Sequence, residues 1–287
     1  MDDLTYGLRQ LCRRNKDGSY ATQSDRLRGL TLVARQLSEA GFRRMTPNSL
    51  KGKHVEALVE RWQAESLSAG TLKNRLAHLR WWSEKVGKAG VIPADNTRLG
   101  IPERQHITNA DKSKTLGDAL DGVRDAHVRM SLQLQQAFGL RREESIKFQP
   151  SYADRGDHIV LKGSWTKGGR ERTVPITTAE QRRLLDLVHE FAGAGALIPT
   201  HKNYIQQRHT YDGQCRAAGL SNMHGLRHRY AQDRYEVLTG WKASAAGGPS
   251  ARSLPPEQRV MDTQARQAIS RELGHERTQI TAVYLGR

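Results

Sequence analysis

Cysteine is almost absent from this sequence, which has only Cys12 and Cys215 in 287 residues. Two thiols so far apart argue against a disulfide framework and favour a reducing compartment. Aromatic residues make up only 6% of the chain, and no apolar run approaches the roughly 20 residues of a membrane helix. The first residues, "MDDLTYGLRQ", lack the hydrophobic core of a signal peptide. These absences predict a cytoplasmic protein without a membrane partner.

Acidic residues are scarce relative to basic ones. The chain has 46 Lys and Arg against 30 Asp and Glu, which gives a formal net charge of +16 and a sequence pI near 10.2. Such an excess favours a polyanionic partner, and nucleic acid more than a membrane surface. Half of the excess lies in residues 1–110, so two basic units could hold one ligand from both sides.

The first hundred residues show helical periodicity. Amphipathic stretches separated by turn residues place leucine, valine and tryptophan three and four positions apart, which predicts a small all-helical bundle. Solvated faces around an ordinary core explain the basic residues between them equally well. The basic residues of these faces that we expect to contact DNA are Lys51, Lys53, Lys73, Arg75 and Arg80.

The second half of the chain mixes helical and strand patterns. Apolar periodicity lapses over residues 90–114, which indicates a connection, so we divide the chain into domains at 1–105 and 116–287 with a linker at 106–115. In the second domain a helix is predicted through residues 130–145. Two β-favouring runs on either side of Lys167 predict a hairpin.

The fold class expected from these patterns is mainly α with a small β-sheet (α+β). Residues 240–259 are rich in Ala, Gly, Ser and Pro and predict a mobile loop.

Six chemically competent residues stand in short motifs of the second domain. Taken singly, each has a structural explanation such as packing or helix capping. Together they resemble the active site of the tyrosine recombinase superfamily, also called phage-type integrases, and the interval of nine from the last histidine to the tyrosine suits that family. The residues are Arg141 in "GLRREE", Lys167 in "TKGGRERTVPI", His224 and Arg227 in "HGLRH", His275 in "LGH" and Tyr284 in "AVYL".

The resemblance covers residues 116–287, whereas the N-terminal helices resemble the family's core-binding domain only in helix pattern and charge. It implies a site-specific recombinase or integrase that cleaves and rejoins DNA through a 3′-phosphotyrosine. Cleavage of a phosphodiester without a metal requires fixed cations at the phosphate oxygens, which Arg141 and Arg227 would supply. His224 would be the base for the weakly nucleophilic Tyr284, and Lys167 the acid for the departing oxygen.

Other residues receive supporting roles. His275 would hydrogen-bond the phosphate and orient the tyrosine, and Glu144, one helical turn after Arg141, would hold that guanidinium. Arg229 is expected to contact the DNA backbone, and His228 to pack beside the site. Strand exchange of this kind needs no cofactor and no metal.

The resemblance also implies partners. The candidate partners are double-stranded DNA, three further copies of the chain in a tetramer on DNA, and an accessory directionality factor. Only three residues follow Tyr284, which leads us to expect protomer contacts through surfaces other than an exchanged tail.

Three alternatives stay open on the sequence alone. One is a catalytically silent DNA-binding regulatory protein on the same fold, and another is an enzyme like the type IB topoisomerases, which share this chemistry. The third is a zinc site, since His224 and His228 stand one turn apart with Cys215 upstream, although a fourth ligand is missing.

Overall fold

The computed structural model of the protein describes residues 2–275 and 277–287. The chain forms two units, Met1–Gln105 and His106–Arg287. Helices dominate this described part and one two-stranded antiparallel sheet accompanies them, which confirms the predicted α+β class. None of the helices in these ranges combines the length and the apolar composition that a bilayer crossing requires.

The helices and strands follow in chain order. In the first unit they are α1 (Asp3–Arg14), α2 (Tyr20–Glu39), α3 (Gly52–Ala64) and α4 (Ala69–Lys85). In the second unit they are α5 (Ala126–Phe138), α6 (Arg142–Ile146), α7 (Pro150–Ala153), β1 (His158–Leu161), β2 (Arg172–Pro175), α8 (Ala179–Ala192), α9 (Tyr204–Ala217), α10 (His224–Thr239), α11 (Pro256–Glu272) and α12 (Thr278–Leu285).

The first unit is built around two fully buried indole rings. Trp62 on α3 donates from Nε1 to Oε1 of Gln36 at 2.9 Å, and Trp82 on α4 donates to the carbonyl of Pro47 at 2.9 Å. Because each N–H has a partner, both rings add apolar contact without leaving an unpaired donor. Serine side chains cap α2 and α4 by accepting from the third backbone N–H of each helix.

The basic residues expected on solvated faces of this unit occupy different environments. Lys51 and Lys53 are exposed and Lys73 is half-buried. The guanidinium of Arg75 lies 5.2 Å from the Trp62 ring, and that of Arg80 donates to the segment after α4, at 2.6 Å to the carbonyl of Pro93. Arg75 and Arg80 therefore depart from the expected solvated face, because their long side chains pack on their own unit.

A glycine divides the helix that the sequence pattern predicted over residues 130–145, so that prediction is wrong. Gly139 ends α5 with φ +60°, and a Cβ at this position would lie 2.5 Å from the ring of Tyr230. A new helix, α6, begins at Arg142, and Arg141 becomes its N-cap in extended conformation. Because of this break, Arg141 lies outside both helices, and its Nη2 donates to the carbonyl of Leu273 just after α11.

The predicted hairpin is confirmed. Strands β1 and β2 pair antiparallel, with His158 opposite Pro175 and Leu161 opposite Arg172. Lys167 lies in the loop between them, followed by Gly168 at φ +93° and Gly169 at φ +72°.

The segment predicted to be a mobile loop is shorter than expected and partly packed. Gly240 ends α10 in the left-handed conformation, a 3₁₀ turn spans Ser244–Ala246, and α11 begins at Pro256. Ala243 is fully buried in the main core of this unit. Small residues here allow close packing, which the composition alone did not distinguish from a solvated loop.

Residues 106–114, which we term the strap, pack on the second unit. The backbone N–H of Lys114 donates to the carbonyl of Gly225 in α10 at 3.0 Å, and a Cβ at Gly225 would lie 2.4 Å from the Lys114 side chain. Near the other end of the strap, Asn109 accepts from the backbone N–H of Arg287 at 2.8 Å. The strap thus contacts both the start of α10 and the residues that follow α12.

Candidate active site

Tyr284 and His224 meet where α12 packs against the first turn of α10. The phenol is only 6% exposed, and its oxygen lies 3.1 Å from Nε2 of His224. Burial, and then the charges of Arg227 and Arg141, lower the pKa of His224 below its ordinary value. The imidazole is therefore neutral at neutral pH. With its proton on Nδ1, it can accept the proton of the tyrosine hydroxyl.

Two further imidazoles enclose the tyrosine ring. The ring of His275 stacks on that of Tyr284 at 5.2 Å and 28°, and Nδ1 of His275 lies 3.2 Å from the hydroxyl oxygen of Thr281. The ring of His228 approaches from α10 at 4.5 Å. These contacts fix the direction of the phenol, so that its oxygen faces His224.

Protonation of His228 and His275 is expected to destabilise the protein as the pH falls. Burial, ahead of nearby positive charges, lowers the pKa of His228 from 6.5 to about 4 and that of His275 from 6.5 to about 3. Below about pH 6.5 the unfolded chain binds more protons, so the free energy of unfolding falls by up to about 1.4 kcal/mol per pH unit for each imidazole. Urea unfolding between about pH 7.5 and pH 5 measures this slope.

His228→Gln provides the control for that measurement. It removes one of the two titrating imidazoles, so the dependence of the free energy of unfolding on pH should lose the contribution of that imidazole. A wild-type stability that is level across this pH range would contradict the buried, neutral state of both rings.

Glu144 is fully buried at the start of α6 and accepts hydrogen bonds from two arginines. Its oxygens accept from the backbone N–H and Nη1 of Arg141 at 2.6 and 2.8 Å, and from Nη1 and Nη2 of Arg172 at 2.6 and 2.8 Å. Burial raises the pKa of Glu144, but the hydrogen bonds to Arg172 and the charges of the arginines outweigh it and hold the pKa at about 2. The carboxylate is therefore ionised.

Arg227 is the most enclosed cation of the site, at 1% exposure. It donates from Nη1 to the carbonyl of Gly139 at 2.5 Å and from Nη2 to the carbonyl of Leu273. Burial, and then the charges of Arg172 and Arg141, lower its pKa to about 10, so that it stays charged at neutral pH. Within the described residues Nε of Arg227 is buried and has no hydrogen-bond partner.

Arg172 belongs to this cluster, although it was not among the candidate residues predicted from the sequence. Its Nε donates to the carbonyl of Glu272 at 2.9 Å while both terminal nitrogens hold Glu144. The signal was strand alternation, since Arg172 and Val174 share the buried face of β2. A Cβ at Gly274 would lie 2.7 Å from the Arg172 side chain, so this glycine allows the arginine to reach the turn before His275.

The structure brings together Arg141, Glu144, His224, Arg227, His275 and Tyr284. Lys167 is not among them, because it is exposed in the hairpin loop and makes no hydrogen bond or ion pair with any described residue. Arg229 lies on the exposed side of α10 and pairs with Asp233 at 2.8 Å.

The zinc alternative receives no support from the described ranges, in which no three His, Cys, Asp or Glu side chains are grouped so as to hold a metal ion. Cys215 packs instead in an apolar cluster with Tyr211 and Leu226, and burial raises the pKa of its thiol.

Two family profiles match this chain. The one described as "Phage integrase, N-terminal" matches residues 1–92, and the one described as "Integrase" matches residues 103–233. A comparison with curated proteins returned no match. The two profiles follow each other in the same order as the two units of the structure, the helical unit first and the unit with the hairpin second. The protein is therefore of the phage integrase class. The chain belongs to the tyrosine recombinase superfamily.

Solved structures with the same fold include three integrases and recombinases bound to DNA. A lambda integrase dimer bound to a COC′ core site has 14% sequence identity and a TM-score of 0.63, over 99% of this chain and 96% of that chain. The XerH site-specific recombinase bound to palindromic difH substrate has 16% identity and a TM-score of 0.60, over 99% and 81%. The Tn1549 transposon integrase with circular intermediate DNA has 12% identity and a TM-score of 0.57, over 100% and 96%.

Proposed function

We propose that the protein is a site-specific DNA recombinase of the integrase type, which cleaves and rejoins strands through a 3′-phosphotyrosine at Tyr284. One observation carries this proposal: the hydroxyl of Tyr284 lies 3.1 Å from the neutral His224, and the buried guanidinium of Arg227, whose Nε has no partner among the described residues, lies 5.8 Å from the Tyr284 ring. Membership of the tyrosine recombinase superfamily supports the same reaction class.

The cleavage step includes two proton transfers, one from the tyrosine hydroxyl to a base and one from an acid to the leaving oxygen. His224 accepts the hydroxyl proton of Tyr284 while the phenolic oxygen forms a bond to phosphorus. The bond from phosphorus to the 5′ oxygen breaks, and Lys167 gives that oxygen a proton. Attack by a 5′-hydroxyl of another strand reverses the step, so the energy of the phosphodiester is retained and no nucleotide cofactor is consumed.

Arg141 and Arg227 provide the positive charge for the phosphate oxygens. Both guanidinium groups donate to the carbonyl of Leu273, so they lie side by side. Glu144 holds the guanidinium of Arg141 by accepting a hydrogen bond from its Nη1. Fixed donors stabilise the charge that develops in the transition state more than mobile ones do. His275 stacks on Tyr284 and would hydrogen-bond the phosphate through Nε2, because its Nδ1 already faces Thr281.

Lys167 acts after the DNA is bound. Its loop contains two adjacent glycines, Gly168 and Gly169, and no hydrogen bond or ion pair to a described residue restrains the lysine itself. Binding of DNA would then bring the ammonium group to the leaving oxygen.

The partner in this proposal is double-stranded DNA, in the cytoplasm, with four copies of the chain acting on two sites and an accessory factor able to set direction. The similar integrases and XerH were solved on DNA, and both units of this chain carry a positive excess. Lys51, Lys53 and Lys73 in the first unit and Arg229 in the second would contact phosphates.

Covalent trapping tests the proposal. The protein is incubated with DNA from its own genetic neighbourhood, nicked so that the cut strand is lost, and the denaturant-resistant adduct is mapped by mass spectrometry. A phosphotyrosine at position 284 is expected. Tight, salt-sensitive DNA binding with no adduct would favour a silent regulatory protein. Relaxed circles without recombinant products would favour a topoisomerase.

Replacement of Arg141 by alanine is expected to slow single-turnover cleavage by about 10²–10³-fold, the usual effect of removing one fixed donor from a developing oxyanion. DNA affinity at low salt should change little, because most contacts go to phosphates elsewhere. Arg142→Ala is the matched control, since Arg142 points away to pair with Asp212 at 2.6 Å. Equal cleavage rates in the two variants would remove Arg141 from the mechanism.

A further inference from the structure

We propose that Gln232 is a positioning residue for the nucleophile, which holds the backbone of Tyr284 against α10 with the help of Asp111 in the strap. This inference rests on the proposed function, since it takes Tyr284 as the nucleophile. Gln232 is buried in the second unit, with 5% of the residue exposed. Its Nε2 donates to the carbonyl of Tyr284 at 3.3 Å and to Oδ1 of Asp111 at 3.0 Å.

Three residues on one face of α10 contact three different parts of Tyr284. His224, His228 and Gln232 follow one another at intervals of four, so their side chains lie in one row along the helix. Nε2 of His224 lies 3.1 Å from the phenol oxygen, and the centre of the His228 ring lies 4.5 Å from that of the phenol ring. Gln232 binds the backbone carbonyl. The row therefore contacts the tyrosine from its hydroxyl to its main chain.

The orientation of the Gln232 carboxamide is determined by its neighbours. A carbonyl oxygen and a carboxylate oxygen only accept hydrogen bonds, so the amide nitrogen must face them, and its two hydrogens serve one acceptor each. The Tyr284 carbonyl lies in the last turn of α12, where carbonyls have no N–H partner within the helix. Gln232 thus supplies a donor to the turn that carries the nucleophile.

Asp111 fixes the glutamine from the strap. Oδ1 of Asp111 also accepts from the backbone N–H of Ser113 at 2.8 Å, and Oδ2 accepts from the hydroxyl of Ser113 at 3.0 Å. Burial raises the pKa of Asp111, but the hydrogen bonds from Ser113 and Gln232 outweigh it and lower the pKa below its ordinary value. The ionised carboxylate is therefore held by its own turn, and it holds the amide group that faces Tyr284.

A glutamine that only caps a helix affects stability, whereas a positioning residue also affects the rate of attack on phosphorus. Loss of the Gln232 donors would release the last turn of α12 and leave His224 and Arg227 unchanged. Misplacement of a reacting group by about 1 Å can cost about 10²-fold in rate, because the reacting atoms no longer meet in the productive geometry. The cleavage rate at saturating protein therefore distinguishes the two roles.

Single-turnover cleavage of nicked duplex DNA tests the inference in the full chain. In Gln232→Leu, which lacks both donors, the cleavage rate should fall by about 10- to 100-fold while the dissociation constant for the duplex stays unchanged. Gln181→Leu is the matched control, because Gln181 is 7% exposed and its Nε2 also donates to a backbone carbonyl, that of Ala137 at 2.7 Å. It should lower the melting temperature and keep the cleavage rate. A wild-type rate in Gln232→Leu, or an equal loss of rate in both variants, would reduce Gln232 to a helix cap and overturn the inference.

Asp111 provides a second readout. Asp111→Ala removes the acceptor and should slow cleavage, whereas Asp111→Asn keeps one accepting oxygen and should recover most of the lost rate. Because Asp111 acts through Gln232, the double variant with Gln232→Leu should be no slower than Gln232→Leu alone. If Asp111→Asn were as slow as Asp111→Ala, the charge of the carboxylate and not its hydrogen bond would set the rate, against the inference.

Hydrogen exchange of the α12 amides, followed by mass spectrometry without DNA, separates this inference from the proposed function. Exchange in α12 should be faster in Gln232→Leu than in the wild type and in Gln181→Leu, because the last turn has lost a donor. Unchanged exchange together with a normal Tyr284 adduct would defeat the inference alone. Faster exchange in Gln232→Leu, with no Tyr284 adduct in the wild type, would establish the contact between Gln232 and α12 and defeat the recombinase proposal.

Discussion

Tyr284→Phe should abolish the covalent protein–DNA adduct and leave the affinity for duplex DNA unchanged. The phenyl ring keeps its contacts with His275 and His228, whose ring centres lie 5.2 and 4.5 Å away, and loses only the oxygen that faces His224. The nucleophile is removed while the fold of the site stays. Trapping on nicked DNA measures the adduct, and a gel-shift titration of the same samples measures binding.

Tyr20→Phe is the control for this change, because Tyr20 is 92% exposed in the first unit and should keep full adduct formation. An adduct that persists in Tyr284→Phe would assign the nucleophile to another residue. A protein that neither binds DNA nor unfolds cooperatively would show that the hydroxyl supports the structure instead.

Arg172→Met should lower the free energy of unfolding by about 3 kcal/mol, the lower end of the range for a broken buried ion pair. Glu144 is fully buried and would lose two hydrogen bonds, although Arg141 would remain beside it at 2.8 Å. The pKa of Glu144 should rise from about 2 in this variant. Urea denaturation measures the loss of stability, and cleavage should fall because Glu144, which holds Arg141, is no longer fixed by Arg172.

The double variant Glu144→Gln with Arg172→Met separates stability from catalysis. It removes both charges, so much of the lost stability should return while cleavage stays slow, a coupling that a double-mutant cycle quantifies. Arg28→Met is the surface control, since Arg28 has 75% of its side chain exposed in its pair with Asp25 and should have little effect. Full stability in Arg172→Met alone would contradict the buried pair.

The sequence predicted the fold class and most of the candidate site because those features have local signals. His224 and Arg227 stand three positions apart on one helix, and the hairpin has β-favouring runs on both sides of its glycines. The break at Gly139 was missed because apolar residues continue across it, and its cause is the ring of Tyr230, 91 positions later.

Long-range pairing explains the other differences between sequence and structure. In the sequence Arg172 is one of several arginines in a basic hairpin. Its partner, Glu144, is 28 residues away along the chain, so the ion pair cannot be predicted from the local sequence. In the sequence Arg80 belongs to a basic face of the helix, but in the structure it donates to the carbonyl of Pro93, in the segment after α4. Neither partner has a periodic pattern, so tertiary contact alone decides whether such an arginine faces water or the interior.

The strap makes the covalent connection between the two units part of the site. This short segment is hydrogen-bonded to Gly225, next to His224, and to Arg287, three positions after Tyr284. The residue after the base and the third residue after the nucleophile are therefore both hydrogen-bonded to the strap. The nine residues by which the chain leaves the first unit are therefore also residues whose hydrogen bonds lie next to the base and three positions beyond the nucleophile.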